Sequence, residues 1–209
     1  MKYRIESDSM GKVEIPADRY WGAQTQRALG SFKIGNEMIP MSLIRAYATV
    51  KYAAAKVNAT FGSIRKEIAD AIQQAAQEII DGKLDNEFPL RVWQSGSGTQ
   101  TNMNVNEVIA NRASEILGAA RGEKRAVHAN DDVNCSQSTN DSFPTAIHIA
   151  VVHEVKGELL PAIDTLHDTF EKLSKSYVGI VKTGRTHLMD ATPLTLGQAI
   201  SGWAAQLAS

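Results

Sequence analysis

Apolar residues recur every three or four positions in several stretches of the chain, which is the spacing of helices with one buried face. Three of these stretches predict helices over residues 40 to about 59, 63–82 and 104–117. Ser63 is a candidate N-cap for the second helix, and Gly82 is suited to end it. The first half of the chain is therefore predicted to be largely helical.

The longest apolar pattern covers residues 147–173 with steps of four and three. At about 1.5 Å per residue it predicts a rod of roughly 45 Å. Asp141 or Ser142 is placed to cap this helix, and Pro161 is expected to kink it. Helices of this length are typical of bundles of long helices.

The remaining segments predict less regular structure. Residues 1–38 indicate an irregular arm, residues 177–181 a short extended link, and residues 195–209 a helix whose pattern stops midway, as in a cut chain. No strand-rich region is expected. The fold class is therefore predicted as mainly α, with an N-terminal helical domain (1–138) followed by the first long helices of a truncated central helical bundle (139–209).

The composition is that of a soluble globular protein: 209 residues, 43% hydrophobic and 22% charged, with a formal net charge of -1. This charge gives no reason to expect nucleic acid or an anionic membrane as a partner, although a small dianion could still bind local donors. Cys135 is the single cysteine, which suits a reducing compartment. Without a signal peptide or an apolar run of about 18 residues, the sequence predicts a cytoplasmic protein.

The first candidate for chemistry is the segment 94–102, QSGSGTQTN, which precedes a predicted helix. Its glycines allow close backbone approach, its hydroxyls and amides are neutral donors, and a helix start favours an anion. A flexible Gly/Ser loop explains the same composition. The segment lacks the Gly-Lys-Ser/Thr of a nucleotide-binding P-loop and the preceding strand of a dinucleotide site.

The second candidate is the segment 128–141, HANDDVNCSQSTND, before the long helix. Its Ser138, Thr139 and Asn140 could donate to a carboxylate, or the segment could simply cap the helix. Cys135 has no Cys or His partner at the spacing of a zinc site, so it is interpreted as structural.

The third candidate is the segment 183–190, TGRTHLMD. A histidine is the usual general acid or base near neutral pH, and Thr186 beside His187 could hold a substrate oxygen. A surface loop histidine is the plainer explanation.

Taken in order, these segments and their flanks resemble the fumarase/aspartase superfamily, and class II fumarases in particular. The resemblance rests on residues 20–25 (YWGAQT), 92–104 (VWQSGSGTQTNMN), 106–112 (NEVIANR), 136–141 (SQSTND) and 192–198 (TPLTLGQ). The blocks are spread from residue 20 to residue 198, so the resemblance extends over nearly the whole chain, and they are long enough to be specific.

The resemblance implies roles for particular residues. Those matching substrate-binding positions are Ser97, Gly98, Thr99, Asn102, Ser138, Thr139, Asn140 and Thr186. His187 matches a catalytic residue that orients or activates water. Residues matching a secondary dicarboxylate site are His128, Ala129, Asn130 and Asp131.

The resemblance also implies the reaction and the assembly. Fumarate and L-malate are the expected substrates, a homotetramer is the expected assembly, and neither a cofactor nor a metal ion is expected. Active sites of the family combine residues from three subunits, and the catalytic base is a serine on a mobile Gly-Ser-Ser loop. No such loop occurs in the 209 residues, so the chain alone is expected to be inactive.

Two alternatives remain open from the sequence. One is an aspartate ammonia-lyase, although in those enzymes the position of His187 is usually Gln and the positions of Ser95 and Ser97 are usually Ala. The other is a non-catalytic helical binding or assembly module, which the absent serine loop would fit.

Overall fold

The computed structural model describes residues 2–209 and confirms a mainly α fold. The strands and α-helices are, in chain order, β1 (Tyr3–Asp8), β2 (Gly11–Pro16), α1 (Ala23–Ser31), α2 (Met41–Thr60), α3 (Lys66–Ile80), α4 (Thr99–Ile116), α5 (Thr139–Glu154), α6 (Leu160–Ser176), β3 (Val181–Thr186), β4 (Met189–Thr195) and α7 (Leu196–Leu207).

The chain divides into two compact units, the first ending at Val151 and the second running from Val152 to Ser209. The division falls inside α5. The domain boundary that the sequence predicts after residue 138 stays a prediction.

The core of the first unit forms where α2, α3 and α4 pack on one another. Ile72 and Ile79 of α3, Tyr47 of α2 and Ile109 of α4 are completely buried. The buried side chains of α3 repeat at helical spacing and form an apolar stripe, whereas the buried faces of α2 and α4 also carry polar side chains.

The first 38 residues are more regular than the sequence predicts. Strands β1 and β2 form an antiparallel hairpin with Tyr3 opposite Pro16 and Asp8 opposite Gly11. An Asp8 carboxylate oxygen accepts from the Met10 N–H at 2.9 Å, and Gly11 has a φ of +107°. The sequence predicts an irregular arm with short elements and does not identify this hairpin, because the tight turn depends on side-chain chemistry that apolar periodicity does not detect.

Two predicted helix starts also change. The N-cap of α3 is Arg65 rather than Ser63. Helix α4 begins at Thr99, five residues before the predicted start at 104. Its first turns bury Thr101 and Asn102. These buried residues are polar, so the apolar periodicity used to predict the helix does not extend to its true start.

The long predicted helix is interrupted. Helix α5 begins at Thr139, so Asp141 and Ser142 lie within its first turn, and a π-helical turn at Val155–Leu159 separates it from α6. The interruption lies directly before Pro161. This position fits the missing N–H of proline, which cannot continue the α-helical hydrogen bonds.

In the second unit, α7 packs against α6. The rings of Phe170 and Trp203 have centroids 5.8 Å apart, and the Ser174 hydroxyl donates to the Gly197 carbonyl at 2.9 Å. Thr195 and Gln198 form a capping box at the start of α7. Strands β3 and β4 form a hairpin over residues 181–195, whereas the sequence predicts only a short extended link at 177–181.

Candidate functional site

The first two polar segments meet where α4 and α5 begin. The Asn102 Nδ2 in α4 donates to Thr139 Oγ1 at the start of α5, at 3.0 Å. Gly98 lies so close to the Phe143 ring that any side chain at position 98 would overlap it. Two helix N-termini, each carrying free N–H groups and partial positive charge, are thereby held side by side.

Hydroxyl groups line the turn that enters α4. Ser95 Oγ lies 3.0 Å from Ser97 Oγ, and Ser97 Oγ lies 3.1 Å from Thr99 Oγ1. Gly96 and Gly98 have φ of +79° and +77°, a backbone that other residues rarely adopt. No side chain caps the first turn of α4. Its N–H groups therefore remain available to a bound anion.

The second segment makes a tight turn before α5. Ser138 and Asn140 are exposed, whereas Thr139 is half-buried and bonded to Asn102. Asn134 in this turn accepts hydrogen bonds from Lys51 at 2.8 Å and from Asn102 at 3.2 Å. The donors Ser138 and Asn140 thus project from a turn that is bonded to both α2 and α4.

A cavity of about 500 Å³ lies beside the start of α4. Thr99 from α4, His128 and Asn130 from the second segment, and the two arginines Arg27 and Arg125 all line it. Arg27 pairs with Asp8 at 2.7 Å and Arg125 with Glu6 at 3.2 Å. Glu6, Asp8 and Glu107 also line the cavity, so its two guanidinium groups are already paired with carboxylates, and the neutral donors are the groups left for a ligand.

The His128 ring is oriented by its own turn. Its Nδ1 accepts from the Asp131 N–H at 3.1 Å, and the His128 N–H donates to an Asp132 carboxylate oxygen at 2.7 Å. Ala129 is buried, and Asp131 has a side chain that is 82% exposed. His128 and Asn130 reach the cavity, whereas Asp131 does not line it.

Thr186 and His187 belong to the second unit. Thr186 ends β3 opposite Met189 of β4, and His187 and Leu188 form the two-residue turn between the strands. Both turn residues have positive φ, +49° and +63°. A two-residue hairpin turn requires such angles, yet Asn and Gly are the residues that adopt them at low cost. A histidine and a leucine at these positions indicate a role other than stability.

A buried carboxylate anchors the start of α1. Glu107 of α4 accepts from the backbone N–H groups of Gly22 at 2.9 Å and Gln24 at 2.8 Å, and from the Thr25 hydroxyl at 2.6 Å. Burial raises the pKa of Glu107, and these donors act against that rise. Glu107 also lines the cavity, so it joins the α1 side of the cavity to α4.

Sequence reasoning missed the charged members of this region: Arg27, Arg125, Glu107 and Lys51. Arg125 stands three positions before His128, so its nearness to a polar segment was a usable signal. Arg27, Glu107 and Lys51 lie on helices with no unusual local pattern, and only the packing brings them to the site.

Residues 2–209 contain no candidate membrane span and no candidate metal site. None of the helices in that range has both the length and the apolarity to cross a membrane. No three His, Cys, Asp or Glu side chains in the same range are placed to hold a metal ion.

Comparison with known proteins gives a consistent set of relatives. A family described as lyase matches residues 11–209. Proteins named class II fumarate hydratase from Rhizobium meliloti and Thermus aquaticus are 57% and 59% identical over 99% of this chain. The chain spans 44% and 45% of their lengths.

A solved structure shows the same fold. The recombinant class II fumarase of Schistosoma mansoni superposes with a TM-score of 0.94 and is 42% identical over 99% of this chain, which covers 44% of that protein.

Proposed function

Since the chain belongs to the lyase family, we propose that it supplies the carboxylate-binding part of a class II fumarate hydratase, which adds water reversibly to fumarate to give L-malate. The observation that carries the proposal is 57–59% identity, over nearly the whole chain, to proteins of that name. The donors at the starts of α4 and α5 support it independently, because they are suited to a dicarboxylate.

The chemistry needs donors more than it needs charge. Removal of the C3 proton of malate places negative charge on the adjacent carboxylate, which becomes an enolate-like dianion. Donors that grip this form more tightly than the ground state lower the barrier. We propose this role for Ser97, Thr99 and Asn102 at the start of α4 and for Ser138, Thr139 and Asn140 at the start of α5.

His187 and Thr186 are proposed to act on the other reactant, water. The His187 ring is displayed at the tip of the β3–β4 hairpin. There it would orient or activate the water that enters fumarate, and in the reverse direction it would deliver a proton to the departing hydroxide through that water. Thr186 would hold a substrate oxygen beside it. The residue that removes the C3 proton is not assigned to this chain.

The remaining parts of the proposal concern binding and assembly. The cavity lined by His128 and Asn130 is proposed as a secondary dicarboxylate site, with Ala129 and Asp131 shaping its turn. The working enzyme is proposed to be a cytoplasmic homotetramer without a cofactor, in which several subunits complete each active site.

The test is fumarate hydration, followed by the loss of fumarate absorbance near neutral pH. The chain is assayed alone and after completion with the remaining portion of the Thermus aquaticus relative, which is 59% identical over the shared part. Turnover by the completed protein and none by the chain alone is the expected result.

Two outcomes would count against the proposal. Release of ammonia from aspartate by an assembled completed protein that ignores fumarate would indicate the ammonia-lyase sibling. Binding of dicarboxylate with no turnover of either substrate would indicate a binding or assembly role.

A further inference from the structure

Lys51 is a completely buried lysine that has no carboxylate beside it. It lies on α2 with 0% of its surface exposed. Its Nζ donates to Asn134 Oδ1 at 2.8 Å and to Gln137 Oε1 at 2.9 Å, and it lies 5.1 Å from the centre of the Tyr47 ring. Buried cations are normally paired with an anion, so an unpaired one with neutral acceptors calls for an explanation.

The Asn134 oxygen is shared by three donors. Besides Lys51, it accepts from Asn102 Nδ2 and from Asn106 Nδ2, each at 3.2 Å. The oxygens of Asn102 and Asn106 are themselves buried without a hydrogen-bond partner within residues 2–209. Both side-chain amides therefore donate to the Asn134 oxygen, while their own oxygens accept no hydrogen bond.

The turn that carries Asn134 is fixed at several further points. Asn134 Nδ2 donates to the Gln137 carbonyl at 3.1 Å, and Gln137 Nε2 donates to the Val133 carbonyl at 2.9 Å. Asn58, two turns beyond Lys51 on α2, donates to the Cys135 carbonyl at 2.9 Å. Ser136 has a φ of +58°, a conformation that a non-glycine residue adopts only when its surroundings enforce it.

These contacts connect Lys51 to two of the proposed carboxylate donors. Asn102 bonds both to Asn134 and to Thr139, at 3.2 Å and 3.0 Å. On the basis of the proposed function, we propose that Lys51 is a positioning residue: through Asn134 it orients Asn102 and Thr139 for binding of the substrate dianion.

The surroundings of Lys51 leave its charge without compensation. Its contacts from α2, α4 and the turn are Tyr47, Asn134 and Gln137, with Asn102 and Asn106 one bond further, and none of these is acidic. Burial raises the pKa of Tyr47 to about 12, so its hydroxyl, bonded to Ser142 at 2.9 Å, stays neutral. Cys135, the other titratable group of the turn, is a free thiol that meets Ser136 and not Lys51.

The first test separates positioning from a purely structural role by comparing KM with kcat. Lys51→Met, Lys51→Arg and the control Lys66→Met are made in the chain completed with the Thermus aquaticus portion. Lys66 is exposed on α3, where it pairs with Asp70 at 2.6 Å. We expect Lys51→Met to raise the KM for fumarate about tenfold, the effect of one lost hydrogen bond near a charge, with kcat changed less than about twofold.

The controls define the outcome of that test. Lys51→Arg keeps a cationic donor, so its KM is expected to lie between those of the parent and of Lys51→Met. Lys66→Met should have the KM of the parent. A Lys51→Met protein whose kcat and KM both match those of the parent would overturn the proposal. Lys51→Gln, neutral but able to donate, replaces the methionine variant if that protein does not fold, and the same rise in KM is expected of it.

The second test does not depend on turnover. Hydrogen exchange of the backbone N–H groups in residues 133–139 is measured on the 209-residue chain and on the same variants. Faster exchange in Lys51→Met, but not in Lys66→Met, would support the positioning role even if the completed protein ignored fumarate, and in that case only the proposed function would fail. Unchanged exchange in Lys51→Met would overturn the inference whatever the activity.

Discussion

The two compact units differ in how they treat apolar and polar residues. The first unit buries a continuous apolar core and also buries polar side chains, among them Lys51, Asn106 and Glu107. In the second unit α6 buries no residue at all, and Trp203 and Val181 are 52% and 72% exposed.

The difference indicates that the two sets of candidate residues are held in different ways. In the first unit, Asn102 and Thr139 are fixed by hydrogen bonds inside a packed core, so their geometry is a property of this chain. In the second unit, His187 stands on a short hairpin next to uncovered apolar side chains. Such faces are typical of surfaces that another chain covers. The positioning of His187 is therefore expected to depend on assembly more strongly than that of Asn102.

The largest expected effect is at His187, where function rests on one exposed side chain. Asparagine tolerates the positive φ of this position, so His187→Asn should leave the hairpin intact and lower kcat of the completed protein by about 10²-fold or more. His153→Asn, on the exposed part of α5, is the matched control and should retain activity. Equal kcat values for the two variants would remove His187 from the mechanism.

In the first unit, the largest effect should be on stability. Glu107→Ala removes the acceptor for three backbone N–H groups and the Thr25 hydroxyl at the start of α1. We expect the free energy of unfolding to fall by about 3 kcal/mol, measured by urea denaturation. Glu158→Ala, at an exposed site of the second unit, should change it little. A loss at Glu158 as large as that at Glu107 would contradict the contrast between the units.

A pH dependence of stability should also be confined to the first unit. Burial lowers the pKa of Lys51 to about 7 from the model-compound value of 10.5. Between these values the unfolded chain binds a proton that the folded chain lacks, so stability should rise with pH by up to about 1.4 kcal/mol per unit. Above about pH 10 the raised pKa of Tyr47 acts in the opposite direction, because the unfolded chain then loses a proton that the folded chain keeps.

Chemical denaturation from pH 7 to pH 10 measures this rise. It should be absent from Lys51→Met and present in Lys66→Met. A rise that persists in Lys51→Met would assign it to another group.

The smallest expected effect concerns backbone conformation. Leu188 is fully exposed with a φ of +63°, so Leu188→Gly should stabilise the second unit by about 1 kcal/mol. Gly118 of the first unit has a φ of +78° and open space around it, so Gly118→Ala should destabilise by a similar amount. Thermal melting followed by circular dichroism checks both changes. If Leu188→Gly lowered the melting temperature, the Leu188 side chain would make stabilising contacts even though it is fully exposed in this structure.

Helices with a clear apolar stripe could be predicted from the sequence, and those with mixed faces could not. The α3 repeat through Ile68, Ile72 and Ile79 was sufficient to find that helix. The start of α4 was missed because Asn102 and Asn106 are buried by hydrogen bonds rather than by apolar contact. Both hairpins were missed because their turns depend on local backbone chemistry, which apolar periodicity does not report.

The polar segments could be singled out from the sequence as candidate sites, but their surroundings could not. The hydroxyl-rich turn around Ser97 and the turn before Thr139 stand out by composition alone. Arg27 and Arg125 reach the same cavity from distant parts of the chain, and no local pattern relates them. The roles assigned to the candidate residues stay predictions until the variants are measured.

The contact between Gly98 and Phe143 has a consequence for how sequences of this family can diverge. A side chain at position 98 would meet the aromatic ring, and the φ of +77° disfavours one in any case. A relative that carries alanine at 98 would therefore need a smaller residue at 143, and the two positions should covary although they lie in different helices' starts. A substitution at only one of the two positions should destabilise the fold. The pair Gly98 and Phe143 therefore identifies homologues that keep the two helix N-termini together.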